Sequence, residues 1–280
     1  MRPAAALVAC AALFGCSRTP SPLTPGAHGS VGAPTRGVLR GGLELPRSGP
    51  GFEWLRPAGH HWGLPRVVAS IEHAAAEVAA ARPLGPPLRI GDLSARSGGE
   101  IPNHASHRSG RDADLLFYVT TPGGEPLPSP GFVRFGADGL AYVPPAQGGP
   151  RYVRFDLERN WVLVRSLVAS PDANVQWLFV SEPLEARIVE YALALGEDAD
   201  LVSRAEQVMQ QPRDSLPHDD HFHLRSACLP EEALAGCEGG GPYWPWLPPL
   251  PAVGADEGDE SLLAALFAPL DATNPRAARR

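Results

Sequence analysis

Apolar residues recur at helical spacing through LPRVVASIEHAAAEVAAA (64–81), with Pro65 at the start and Pro83 just past the end. This predicts a helix in which His73 is an ordinary helix position. VRFDLERNWVLVRSLVAS (153–170) reads as a turn leading into an amphipathic helix, and PLEARIVEYALAL (183–195) as another helix. Strand patterns lie between them. PLRIGDLSA (87–95) predicts a strand running into a loop, DADLLFYVT (112–120) alternates into a buried strand, and VQWLFVS (175–181) is a further apolar strand. DDHFHLRSA (219–227) completes the set. Helices interleaved with strands predict an α+β fold, a small antiparallel sheet flanked by helices.

The periodic region has borders. Residues 17–50 are rich in Pro, Gly, Ser and Thr, and 16–51 reads as a flexible tether ahead of a domain over 52–245. Residues 246–280 read as a low-complexity, acidic tail with one short helix near SLLAALFA. Trp244 and Trp246 in the turn-rich GGGPYWPWLPPLP either form a sugar platform or pack back onto the domain edge. MRPAAALVACAALFGC at the start has the shape of a secretory signal: a positive end, then an apolar run too short to span a bilayer. It closes on Leu13-Phe14-Gly15-Cys16, which resembles a bacterial lipoprotein cleavage box. Residues 1–15 would then be removed and Cys16 would carry lipid.

Composition adds two constraints. A net charge of −7 argues against a nucleic-acid partner. Of four cysteines, Cys10 would leave with the signal and Cys16 would carry lipid, or be incidental to an ordinary cleaved signal, so Cys228 and Cys237 remain as a pair in an oxidising compartment. A disulfide between them closes a short loop, contributes about 2–3 kcal/mol, and pins the strand before it.

The chain has nine histidines, and most fall in two places: NHASHRSGRDADLL (103–116) and HDDHFHLR (218–225) hold five of them. In a strand, His221 and His223 leave the same face while Phe222 and Leu224 point into a core. His107 and Asp114 are seven residues apart with Gly110 between them to allow a bend, so loop and strand can converge. Two histidines and one carboxylate, with a fourth position open to water, are the ligand set of a catalytic zinc site. No Gly-x-Ser-x-Gly signature accompanies them. Asp112 shares the face of Asp114 and either supports a histidine ligand or caps loop amides.

The order His-x6-Asp … His-x-His, with SHRSGRDAD in its first half, resembles the LAS superfamily of zinc peptidases, whose fold is shared with hedgehog signalling domains. Within it, RPAGHHWGLP (56–65), IPNHASHRSGRDADLLFY (101–118), VQWLFVSEPLEARI (175–188) and HDDHFHLRSAC (218–228) are similar to the penicillin-insensitive murein endopeptidases. The resemblance covers about residues 52–237. It implies one zinc ion held by His107, Asp114 and His223, with His221 as base or transition-state stabiliser and His218 beside it. His104 would line the same site, and Cys228–Cys237 fits the disulfide of the family. Asp219 and Asp220 depart from the family pattern, and an acidic pair there would draw nearby histidine pKa values upward. The implied reaction is hydrolysis of peptide cross-links of the D-Ala–diaminopimelate type in bacterial peptidoglycan. Trimming of stem ends by a D,D- or L,D-carboxypeptidase or dipeptidase, or wall binding without catalysis, are the alternatives. The implied setting is the periplasm, with Ser17 after the lipidated Cys16 pointing to the outer membrane.

Overall fold

A computed structural model describes residues 28–144 and 151–249 of the chain. In chain order, β1 (Gly29–Ala33), β2 (Arg36–Arg40), β3 (Leu43–Glu44), β4 (Ser48–Gly49), β5 (Phe52–Trp54) and β6 (Trp62–Gly63) precede α1 (Pro65–Ala81). Then come β7 (Leu88–Ile90), β8 (Asp112–Leu116), β9 (Val119–Thr120), β10 (Pro126–Leu127), β11 (Leu140–Tyr142) and β12 (Tyr152–Phe155). The C-terminal half holds α2 (Leu157–Ala169), β13 (Val175–Phe179), α3 (Glu182–Leu195), α4 (Ala199–Val208), β14 (Met209–Gln210), β15 (His221–Ser226) and α5 (Pro230–Leu234).

The α+β expectation holds, but the sheet is neither small nor wholly antiparallel. Its seven strands run β14-β13-β15-β8-β7-β5-β4. The pairs β13–β14 and β5–β7 are parallel, and the other neighbours are antiparallel. The extra strands are two or three residues long, too short to leave an alternation in the sequence. A four-stranded sheet, β10-β9-β12-β11, stands beside it.

The helices follow their sequence logic. In α1 the residues Val67, Val68, Ile71, Ala74, Ala75 and Val78 are buried, which is one stripe of a 3.6-residue repeat. Asp156 caps α2 by accepting a hydrogen bond from the Arg159 main-chain N–H, and Gly196 ends α3 in the left-handed region. Helix α4 has no counterpart in the sequence reading. It follows α3 almost directly, so the two merge into one apolar and acidic stretch whose break lies at Gly196 and the Asp198 cap.

The stretch expected as tether also differs. Residues 29–49 form β1 to β4, β1 pairs with β2 as a hairpin, and Leu39 and Leu45 are buried in the main core. Glycines at tight turns hid these short strands behind a linker-like composition. At the other border, Trp244 and Trp246 stack on each other, Trp244 Nε1–H donates to Gln176 O, and Arg204 lies over Trp246. They pack back onto the domain edge, partly buried against the core. The signal segment, Cys16 and the SLLAALFA helix lie outside the described residues. Within them, no helix is long and apolar enough to cross a membrane.

Candidate metal centre

β8 and β15 are antiparallel neighbours in the middle of the large sheet, and their register places the chemistry. His223 pairs with Asp114, Arg225 with Asp112, and His221 with Leu116. Cross-strand partners share a face, so His221, His223, Arg225, Asp112 and Asp114 all point one way. The alternate residues Ala113, Leu115, Phe222 and Leu224 are buried in the core on the other face. The expected alternation of HFHLR is therefore present, and the core anchors the strand whose other face carries the imidazoles.

His107 arrives from the loop between β7 and β8. Gly110, at φ +77°, makes the bend, and a Cβ there would meet Leu39 Cδ1 at 2.6 Å. The loop is tied down at Ser94, whose hydroxyl donates to His107 O (2.6 Å) and accepts from the Gly110 N–H (2.9 Å). His107 Nδ1–H donates to Leu93 O at 2.7 Å, which aims Nε2 at Asp114. The His107 backbone itself is left-handed, at φ 64°.

The ring nitrogens converge on one carboxylate. Asp114 Oδ1 lies 3.1 Å from His107 Nε2, 3.2 Å from His221 Nε2 and 3.4 Å from His223 Nδ1, and Asp114 Oδ2 lies 3.8 Å from His104 Nδ1. Ligand atoms of His104, His107 and Asp114 lie within 4.8 Å of one another, and so do those of His218, His221 and His223. The expected ligands His107, Asp114 and His223 take members from both groups. All the histidines that the sequence singles out thus meet at one place, together with both aspartates.

Charge in this pocket is strongly organised. Burial pushes Asp114 upward, but the charges of His107 and His221 outweigh it and hold the carboxyl well below its ordinary range. Burial lowers His221, yet Asp114 and the hydrogen-bonded Asp220 raise it to about 10. His223 falls to about 4 and His218 to about 3, burial being the main cause in each. Asp220 therefore acts as the acidic pair was expected to on His221, while His218 stays neutral.

The donor set fits a divalent cation. His107 Nε2 and both Asp114 oxygens are buried with no aligned hydrogen-bond partner among the described residues. Leaving such groups bare is costly, and native interiors seldom do so. Two imidazole nitrogens and a carboxylate oxygen pointing to one spot are the usual zinc ligands.

Several residues here carry no role in the sequence reading. Asp92 accepts from Arg56 (2.9 Å) and the His60 main-chain N–H (2.9 Å), and His104 Nε2 is 3.3 Å away. Phe132 is 39% exposed, with its ring edge-on to His221 and beneath the Arg56 guanidinium. Arg56 and Phe132 thus form one wall of the site mouth. His61 instead stacks on Trp54 and is held neutral, near 4, by burial. Arg225 was legible: the alternation that pairs His221 with His223 puts it on the same face. Arg56, Asp92 and Phe132 join the site through loops, for which periodicity gives no rule.

Comparison with known proteins points the same way. The family model described as penicillin-insensitive murein endopeptidase matches residues 30–129, which include His104, His107, Asp112 and Asp114. A penicillin-insensitive murein endopeptidase of Haemophilus influenzae is 27% identical over 218 residues, covering 75% of this chain and 68% of its own. One of Klebsiella pneumoniae subsp. pneumoniae is 27% identical over 207 residues, covering 72% of this chain and 68% of its own. The resemblance read from the motifs is borne out over most of the chain.

Proposed function

From a chain related to the penicillin-insensitive murein endopeptidases, we propose a zinc-dependent endopeptidase that hydrolyses peptide cross-links of peptidoglycan, of the D-Ala–diaminopimelate type. The observation that carries this reading is the convergence of His107 Nε2, His223 Nδ1 and the bare Asp114 carboxylate at one buried point. The LAS-like fold is part of the same proposal, supported by a loop histidine and a His-x-His strand meeting on one sheet face.

His107, Asp114 and His223 would hold the ion. Zinc, when bound, acidifies a water and polarises the scissile carbonyl. His107 is fixed by its Nδ1–H bond to Leu93 O, and His223 by Asp112. His221 stands beside the ligands with Nδ1 on Asp220 and Nε2 3.2 Å from Asp114 Oδ1. His221 would take the proton of a water or, when protonated, donate to the oxygen where negative charge develops. His218, held neutral by burial, is in ring contact with His221 and His223. His104 bridges Asp114 and Asp92 and lines the opposite side.

The proposed setting is the periplasm, with the chain anchored through lipid on Cys16 at the outer membrane, where peptidoglycan is within reach. Digestion of purified sacculi tests the reaction. The proposal expects dimeric muropeptides to become monomers, with a chelator stopping the conversion. Loss of terminal residues from monomers, with dimers left intact, would make the chain a carboxypeptidase instead.

A further inference from the structure

Asp112 is fully buried, and both of its oxygens are engaged. Oδ2 accepts from the His107 main-chain N–H at 3.0 Å. Oδ1 accepts from Arg225 Nε at 2.6 Å and faces His223 Nε2 at 3.2 Å. One carboxylate therefore touches two histidines 116 positions apart in number, 107 and 223, by two different kinds of contact. We propose that Asp112, held in place by Arg225, is a positioning residue that fixes His107 and His223 together and thereby sets the affinity of the site for its metal. The inference rests on the reading of His107, Asp114 and His223 as ligands.

The two contacts do different things. His107 occupies the left-handed region, which a side chain with a Cβ enters only when its surroundings hold it there. The Asp112 bond to its N–H is one such hold, and it acts on the backbone, leaving the ring to Leu93 O. At His223 the contact is with the ring. An ionised carboxylate only accepts, so the proton between them belongs to Nε2. That selects the tautomer whose Nδ1 lone pair faces Asp114 Oδ1, 3.4 Å away.

Arg225 is what keeps Asp112 in position. Its guanidinium is buried and lies over the Phe179 ring at 5.3 Å, so its own place is fixed by packing. Phe179 in turn packs against His223, so the Arg225–Asp112–His223 contacts close into a ring of fixed neighbours. A role limited to joining β8 and β15 would show in stability alone. A positioning role shows in metal affinity and in the His223 tautomer while the fold is retained.

The test uses the full chain and its Asp112→Asn, Arg225→Ala and Arg225→Lys variants. Zinc affinity is read by competition with a chromophoric chelator, ring tautomers by nitrogen-15 NMR of the metal-free protein, and folding by thermal melts. We expect Asp112→Asn and Arg225→Ala to bind zinc about 10- to 100-fold more weakly, with His223 leaving the Nε2–H tautomer. Arg225→Lys, which keeps a charge and a donor, should recover part of the affinity. Folded variants with unchanged affinity and tautomer would overturn the proposal, as would a loss of zinc that merely tracks the fraction unfolded. If the parent chain itself takes up no zinc, the metal reading falls and this inference with it. If the parent binds and the variants match it, this inference alone falls.

Discussion

His221 holds its Nε2 3.2 Å from Asp114 Oδ1, on the ring whose Nδ1 is gripped by Asp220. This histidine is set and aimed between two carboxylates, and it lies beside the ligands rather than among them. His221→Ala should therefore keep its zinc while lowering kcat by about 10²- to 10⁴-fold. Asp220→Asn should lower kcat less and shift the pH profile, because His221 loses one of the charges that raise it. Metal analysis beside a sacculus-cleavage assay checks both. Unaltered cleavage by His221→Ala would assign the proton work elsewhere.

The Cys228–Cys237 disulfide follows the strand that carries His221 and His223. Its loop is also tied by Gly32 N–H to Gly236 O (2.7 Å) and by Arg66 to Glu232 (2.7 Å). With those ties left, the Cys228→Ser, Cys237→Ser double variant should stay folded. It should lose activity or zinc affinity, since a displacement of about 1 Å in a catalytic group can cost about a hundredfold in rate. Melting curves together with cleavage rates measure the two effects, and full activity in the double variant would separate the bridge from the site.

Glu185 on α3 gives a pH dependence of stability away from the centre. Burial, with the charges of Glu206 and Glu182, raises its carboxyl from 4.5 to about 7. A folded-state pKa above the unfolded one means the fold favours the protonated acid. Its contribution is complete below about 4.5 and is lost as pH rises through about 7. Solvent screening limits the effect to about 1 kcal/mol, or roughly 2–4 °C in Tm for a domain of this size. Glu185→Gln should raise Tm at pH 8 relative to the parent and leave it unchanged at pH 4. Equal melting temperatures for the two proteins at pH 8 would refute this.

Cys16→Ser should release the chain from the membrane fraction or block removal of residues 1–15. Fractionation followed by mass determination of the N-terminus reads both outcomes. Unchanged membrane association would call for another anchor.

The centre was legible in the sequence to the extent that its residues lie on strands. The period-2 rule turns HFHLR into two imidazoles and one guanidinium over a Phe/Leu underside, and DAD into two carboxylates on the facing strand. The spacing of His107 and Asp114 about Gly110 pointed to a bend that the fold does contain. The partners at Leu93, Asp92, Arg56 and Phe132 were hidden, because they reach the centre from loops whose paths are set by tertiary contacts. The same limit applied to the edges of the fold. Strands of two residues, such as β4 and β14, have no periodicity to read, and the glycine-rich β1–β2 hairpin has the composition of a linker.

The metal content of the purified chain and of its Asp114→Ala variant tests the central claim most directly. The account predicts one zinc per parent chain and none in the variant, because without the Asp114 carboxylate only His107 Nε2 and His223 Nδ1 remain to hold the ion. A zinc-free parent that still cuts cross-links, or a variant with full zinc occupancy, would contradict it.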